Sequence, residues 1–142
     1  MIAVDTNVLA AAFREESPEH DRGLAAMARL AGEPRWGLPW IVVAEFYAFA
    51  TQPRLWRTPQ ASKALGALDR WISMPGARLI GETPDIWPRL RGMLADSRAR
   101  GRQVHDARIA AVCLANGVSE LWTADRDFGR FPALRTRNPL VG

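Results

Sequence analysis

Four acidic residues lie in sequence contexts where a carboxylate is costly. Asp5 directly follows the apolar run MIAV, and Asp125 directly follows ELWTA in a similar way. Glu45 lies within the apolar segment WIVVAEFYAFATQ, and Asp106 lies near the start of VHDARIAAVCLANG. A buried charge costs free energy unless a cation or a hydrogen-bond donor compensates it. These positions predict a functional site and leave open which group pairs with Asp5.

Glu45 is the most informative of the four. On a helix its neighbours three and four positions away are all apolar, namely Ile41, Val42, Ala48 and Phe49. A solvated glutamate would instead lie on a polar face. The residues alone allow two interpretations, a buried ion pair with one of the many arginines or a functional carboxylate.

The other acids have ordinary alternatives. Asp106 falls in the first turn of a helix, where acids are common because they interact favourably with the helix dipole. Asp125 and Asp127 both suit a turn. If the chain turns helically there, their side chains point about 200° apart, so one ion would not bind both. We therefore expect Asp127 to cap the short turn before Phe128 or to pair with an arginine.

Together the four acids indicate a divalent metal site. Carboxylates that converge on one cleft repel each other and become protonated unless a cation joins them. Oxygen ligands suit Mg²⁺ or Mn²⁺, and such an ion can activate water for hydrolysis of a phosphodiester. The predicted partner of Asp5 is therefore a metal ion held by Asp5, Glu45, Asp106 and Asp125.

Strands and helices alternate along the chain. We predict strands in MIAVD, WGLP, ARLIGE, ELWTAD and LRTRNPL. We predict helices in TNVLAAAF, from Ser17-Pro18 to about Leu30, in WIVVAEFYAFATQ with burial on most sides, and in VHDARIAAVCLANG. Two more helices of roughly 15 residues should start at Thr58-Pro59 and Thr83-Pro84.

This alternation predicts an α/β fold with a central parallel sheet and helices on both faces, as a single domain over residues 1–142. Ligands of such sheets bind beyond the carboxyl ends of the strands, where the winding direction reverses. Asp5 lies at such an end, so the sheet is expected to position the acidic site.

Composition is typical of a globular protein in the cytoplasm. Hydrophobic residues make up 48% of the 142 residues and charged residues 24%. No apolar run approaches the roughly 18 residues of a membrane span, and the start of the chain lacks the form of a secretory signal. The single cysteine, Cys113, can form no internal disulfide and is expected in the core.

The formal net charge of +4 favours a polyanionic partner such as nucleic acid. All but one of the 19 basic residues are arginine, a composition that biased codon usage would also produce. Near the predicted cleft, candidate strand-binding residues are Arg98, Arg100, Arg102 and Arg108, and a solvated basic face is the alternative. Trp56, between two arginines, could stack on a base or simply pack against the protein.

The ordered motifs VDTNVL, AEF, HDARIAA and TADRDF resemble those of PIN-domain nucleases, and more narrowly of VapC-type toxins. The resemblance covers nearly the whole chain. It implies a three-layer α/β/α fold, Mg²⁺- or Mn²⁺-dependent endoribonuclease activity, homodimerisation and a small cognate VapB-like antitoxin. The family's acidic positions fall on Asp5, Glu45, Asp106 and Asp125, and its orienting polar residues on Asn7 and Thr123.

Two other classes of protein remain as alternatives. Phosphohydrolases of the haloacid dehalogenase type also begin with an aspartate at a strand end and use Mg²⁺. They need a second aspartate two residues later, where this chain has Asn7, and a placed lysine, whereas Lys63 follows no strand. A non-enzymatic nucleic-acid-binding module, with acids that serve a structural ion, is the second alternative.

Overall fold

The centre of the molecule is a five-stranded sheet. It is described by a computed structural model that covers residues 1–142. The strand order is β3-β2-β1-β4-β5, and every neighbouring pair is parallel. All five predicted strands are confirmed. They are β1 (Ile2–Val4), β2 (Trp36–Pro39), β3 (Ala77–Ile80), β4 (Glu120–Trp122) and β5 (Arg135–Arg137).

Six α-helices flank this sheet. The chain moves outward from β1 through β2 to β3, then crosses back to β4 on the other side of β1. Because crossovers between parallel strands are right-handed, the two directions place helices on opposite faces, as in a three-layer α/β/α fold. The helices are α1 (Thr6–Phe13), α2 (His20–Ala31), α3 (Trp40–Ala50), α4 (Ala61–Ile72), α5 (Trp87–Ser97) and α6 (Gln103–Ala115).

Because the chain reverses its direction across the sheet, the switch point lies between the neighbouring strands β1 and β4. These two strands pair directly, with Ala3 opposite Leu121 and Val4 opposite Trp122. Asp5 follows β1 and Thr123 follows β4, so both lie at the same carboxyl edge. The ligand-binding edge of the sheet therefore lies at Asp5 and Thr123, two residues that were predicted for the site.

Three helices begin later than their Ser-Pro or Thr-Pro signals predict. Helices α2, α4 and α5 start two or three residues after these dipeptides. The hydroxyl groups stabilise the preceding turns instead: Ser17 Oγ accepts from the Glu19 amide, and Thr83 Oγ1 donates to Asp85. The 12 and 11 residues of α4 and α5 are accordingly fewer than predicted.

Helix α3 is buried or partly buried on most sides, as predicted, and exposes only one stripe. Val42, Phe46 and Ala50 are fully buried at a spacing of four residues. Ala44 and Ala48 are exposed, and Trp40 at the helix start is 54% exposed. The apolar composition of α3 therefore exceeds what the core requires.

Cys113 and Trp56 both pack against other residues of the protein. Cys113 is fully buried in α6, and burial raises the pKa of its thiol to about 12. Trp56 packs edge to face against Phe13 and Phe49, and its indole N–H donates to the Phe49 carbonyl. The packing alternative for Trp56 is thus the one the structure supports. None of the helices is long and apolar enough to cross a membrane.

Candidate active site

Asp5 is held at the switch point by three hydrogen-bond donors. Its side chain is buried, with 5% exposed. Oδ1 accepts from the Thr6 amide at 2.7 Å, while Oδ2 accepts from Thr123 Oγ1 at 2.7 Å and from Asn7 Nδ2 at 3.1 Å. The Asp5 side chain thereby also caps the start of α1. Protein donors thus compensate the Asp5 charge at both oxygens, and the metal ion expected as its partner stays a prediction.

Asn7 and Thr123 join the ends of β1 and β4, in the orienting positions that the family resemblance implies. Asn7 Nδ2 donates to Thr123 Oγ1 at 3.1 Å, and Asn7 Oδ1 accepts from the Ala124 amide at 2.9 Å. Thr123 Oγ1 also accepts from the Asp125 amide at 3.0 Å. The same small network therefore fixes the Asp5 carboxylate and the backbone that carries Asp125.

Glu45 reaches the cleft from α3 without a cationic partner. Its Oε2 accepts from Thr6 Oγ1 at 2.7 Å, and it takes part in no ion pair. The interpretation of Glu45 as a buried pair with an arginine is therefore wrong. The donor is the threonine of the VDTNVL motif, a role for Thr6 that sequence reasoning missed.

Three other acids form a tight cluster beside this network. Asp106, Asp125 and Asp127 each offer a carboxylate oxygen, and these atoms all lie within 4.8 Å of one another. With Asp5 and Glu45 they line one cleft of about 1060 Å³. Five carboxylates thus share the cleft, whereas the sequence predicted four.

The positions of Asp125 and Asp127 reverse the predicted capping role. A 3-10 turn at Arg126–Arg130 follows β4, and Asp125 is its N-cap, with Oδ1 accepting from the Asp127 amide at 2.9 Å. Asp127 does not cap the turn, is in no ion pair and faces the cleft. The expectation that the two side chains point apart assumed α-helical geometry. Asp125 instead has an extended backbone and Asp127 lies in a 3-10 turn, so the α-helical angle does not apply.

The electrostatics of the cleft reflect its concentrated negative charge. Burial raises the pKa of Asp106 to about 6, aided by the charges of Asp125, Asp5, Asp127 and Glu45. Burial also raises the pKa of Asp5, although its bonds from Thr123 and Thr6 oppose this shift. Protons or a cation would relieve the repulsion among these groups.

The four predicted strand-binding arginines divide into two pairs. Arg100 and Arg102 line the cleft, as does the exposed His105. Arg98 follows α5 in a left-handed conformation and is not part of the cleft lining. Arg108 donates to Glu82 in an ion pair. The structure therefore brings two of the four arginines to the site.

The donor set of the cleft fits a hard divalent cation. All of its clustered ligand atoms are carboxylate oxygens, and none of these acids forms an ion pair. The chain's ion pairs are Arg14 with Glu16, Arg108 with Glu82 and Arg135 with Glu120. Carboxylate oxygens are the ligands that Mg²⁺ and Mn²⁺ prefer. Asp106, Asp125 and Asp127 could hold such an ion, with Asp5 and Glu45 beside them.

The molecule is therefore a parallel α/β protein with an acidic cleft at the switch point of its sheet, and a network of Asp5, Asn7 and Thr123 completes this cleft. The chain belongs to the PIN domain family, whose model matches residues 2–134. This membership argues against the haloacid dehalogenase alternative, and Asn7 in its orienting role explains the missing second aspartate.

Proteins named VapC ribonucleases are among the relatives of this chain. It is 33% identical over 140 residues to ribonuclease VapC48 of Mycobacterium tuberculosis, covering 97% of each chain. It is 35% identical over 144 residues to VapC ribonuclease Mb2897 of Mycobacterium bovis, covering 100% of this chain and 97% of the relative. The fold is similar to that in a crystal structure of VapBC2 from Rickettsia felis bound to a promoter DNA fragment, with a TM-score of 0.69, 22% identity and coverage of 97% and 98%.

Proposed function

We propose that this chain is a divalent-metal-dependent endoribonuclease and the toxin of a toxin-antitoxin pair. The observation that carries the proposal is the group of five carboxylates without a cationic partner at the switch point of the sheet. The ribonuclease names of relatives that match almost the whole length of the chain support RNA as the substrate.

The residues of the cleft have distinct proposed roles in hydrolysis. Asp106, Asp125 and Asp127 are the proposed metal ligands, with Glu45 and Asp5 completing the negative environment. A bound Mg²⁺ or Mn²⁺ supplies the positive charge that lowers the pKa of an attacking water and offsets charge on the leaving oxygen. Thr6, Asn7 and Thr123 orient the Glu45 and Asp5 carboxylates.

Arg100 and Arg102 extend this site toward the polyanionic substrate. Both are exposed and line the cleft, so their guanidinium groups are available to phosphate oxygens. Arginine binds phosphate through paired donors in a planar arrangement. Their positive charge offsets the repulsion between RNA and the carboxylates. Binding by Arg98 and Arg108 remains a prediction without support from the cleft geometry.

We expect the cognate antitoxin to inhibit by occupying the acidic cleft with an arginine or lysine. Such a cation satisfies the same carboxylates without supplying a reactive water. Saturating antitoxin should therefore abolish Mn²⁺ binding, which electron paramagnetic resonance of free Mn²⁺ measures. Unchanged Mn²⁺ binding in the complex would contradict this mode of inhibition. Homodimerisation, a single-domain organisation and a cytoplasmic location remain expectations from the sequence.

The proposed activity is tested by removing and restoring the metal. Protein purified in chelator should leave single-stranded RNA intact, and excess Mg²⁺ or Mn²⁺ should restore cleavage because catalysis is assigned to the ion. Zero-metal controls and the Asp106→Asn variant distinguish this activity from contaminating ribonuclease. Full cleavage in excess chelator by the wild type, absent from the variant, would overturn the metal dependence.

A further inference from the structure

Two exposed arginines on the β5 side of the cleft carry charges that no acidic group neutralises. Arg130 ends the 3-10 turn and Arg137 ends β5, and both side chains are exposed. No carboxylate lies within 4.0 Å of either guanidinium, whereas the neighbouring Arg135 lies 3.9 Å from Glu120. Neither Arg130 nor Arg137 belongs to the cleft lining that contains Arg100 and Arg102.

The backbone of Arg137 is tied directly to the catalytic edge of the sheet. Its carbonyl oxygen accepts from the Thr123 amide at 2.9 Å. The Thr123 hydroxyl in turn holds Asp5 at 2.7 Å. Because the strands are parallel, the carboxyl end of β5 shares an edge with the ends of β1 and β4. The backbone of Arg137 is therefore fixed at the sheet edge that carries Asp5, while its side chain is exposed.

The 3-10 turn places Arg130 on the side of the turn that carries Asp127. Residues three apart in a 3-10 helix lie above one another, and Arg130 follows Asp127 by three. Phe128 in the same turn is 1% exposed and anchors it in the core. The orientation of Arg130 relative to Asp127 is therefore set by a packed turn and not by a loose loop.

We propose that Arg130 and Arg137 form a second phosphate-binding surface, which binds the backbone of single-stranded RNA beyond the scissile bond. The proposal rests on the proposed function, which assigns RNA to the cleft. A polyanion that enters a group of five carboxylates needs positive charge close to it. Arg130 shares its turn with Asp127, and the backbone of Arg137 is bonded to Thr123. Exposed guanidinium groups without a protein partner bind phosphate with no ion pair to break.

The test compares two variants of equal charge. Arg130→Gln/Arg137→Gln removes the proposed surface, and Arg35→Gln/Arg78→Gln removes two exposed arginines elsewhere, Arg35 before β2 and Arg78 on the opposite edge strand β3. Binding of fluorescein-labelled single-stranded RNA of mixed sequence is measured by fluorescence anisotropy, in chelator, over a series of salt concentrations. Circular dichroism verifies that each variant is folded.

We expect Arg130→Gln/Arg137→Gln to bind at least tenfold more weakly than Arg35→Gln/Arg78→Gln. Its slope of log K against log salt should fall by about 1.4, since each phosphate contact to a single strand contributes about 0.7. Equal affinities and slopes for the two variants would overturn the proposal. Loss of antitoxin binding with unchanged RNA binding would also overturn it, because the surface would then serve a protein partner.

Failure of this proposal is separable from failure of the proposed function. Cleavage of RNA by the wild type with Mn²⁺ is measured in parallel. If the wild type cleaves and the two double variants bind RNA equally, only the second surface is wrong. If the wild type neither cleaves nor binds RNA, the assignment of RNA to the cleft is wrong, and so is the second phosphate-binding surface.

Discussion

The hydroxyl of Thr123 donates a 2.7 Å hydrogen bond to the carboxylate of Asp5 and so connects the ends of β4 and β1. The two residues are 118 positions apart in the chain and both are buried. The bond fixes one catalytic candidate against the strand that leads to two others, Asp125 and Asp127. The integrity of the cleft therefore depends on this contact.

Replacing Thr123 with valine tests that dependence, since valine keeps the shape and removes the hydroxyl. Asp5 loses a donor and the Asp125 amide loses its acceptor, so we expect a loss of about 1 to 3 kcal/mol in the free energy of unfolding. Urea unfolding measures this loss. Thr136→Val is the matched control, because Thr136 is exposed on β5. Equal stability of the two variants would contradict the structural role of the hydroxyl.

The five parallel strands and four of the five acids that line the cleft were predictable from local patterns in the sequence, such as a polar residue that ends an apolar strand. The orienting positions of Asn7 and Thr123 were instead implied by the family resemblance, and the order of the strands in the sheet was not predicted. The inward position of Asp127 was not predictable, because it depends on the 3-10 geometry after Asp125. Likewise, the donor to Glu45 was unforeseen, since Thr6 meets this acid only once α1 and α3 are packed together.

Late helix starts have a similar cause. A hydroxyl before proline can cap a helix or stabilise a turn, and both uses leave the same sequence signal. At Ser17 and Thr83 the turn forms instead of the cap. The burial of α3 on most sides was predictable, because nearly all of its residues are apolar.

The two acids after β4 give a second prediction. The sequence alone ranks Asp125 above Asp127. Because the structure brings both into the cluster, we expect Asp125→Asn and Asp127→Asn each to reduce cleavage at least tenfold, a barrier change of about 1.4 kcal/mol. Cleavage rates and Mn²⁺ affinity are measured on folded protein. Asparagine preserves the N-cap at position 125, so the comparison isolates charge. If Asp127→Asn cleaves RNA as fast as the wild type, the sequence-based ranking of Asp125 above Asp127 is correct.

The raised pKa of Asp106 gives a pH dependence of stability in the absence of metal. In the folded state this pKa is about 6, above its ordinary 3.8, because of burial and the charge of Asp125. Between these values the folded protein binds more protons than the unfolded chain, so its stability falls as pH rises. Relative to wild type, Asp106→Asn should therefore be more stable at about pH 7.5 and lose this advantage by about pH 4.

Urea unfolding in chelator at both pH values measures this difference. Titrations of groups shared by the two proteins largely cancel in the comparison. Added Mn²⁺ should stabilise the wild type more than the variant, because the ion neutralises the Asp106 carboxylate, which the variant lacks. A variant that is less stable than wild type at neutral pH without metal would show that the Asp106 carboxylate is structural.

The division among the predicted arginines gives a further prediction. Arg102 lines the cleft and Arg108 is paired with Glu82. We expect Arg102→Gln to raise KM for RNA several-fold with little change in kcat, and Arg108→Gln to change KM less. Steady-state cleavage at several salt concentrations measures both. If Arg108→Gln has the larger effect, the ion pair with Glu82 opens when RNA binds and the sequence-based assignment is correct.

The most direct measurement is the joint effect of Asp106→Asn on Mn²⁺ binding and RNA cleavage. Asp96→Asn is the matched control, because Asp96 is an exposed aspartate on α5. We predict that Asp106→Asn loses both Mn²⁺ affinity and cleavage while it stays folded, and that Asp96→Asn keeps both. An Asp106→Asn variant that is folded, binds Mn²⁺ as wild type does and cleaves RNA at the wild-type rate would contradict the assignment of this cleft as the active site.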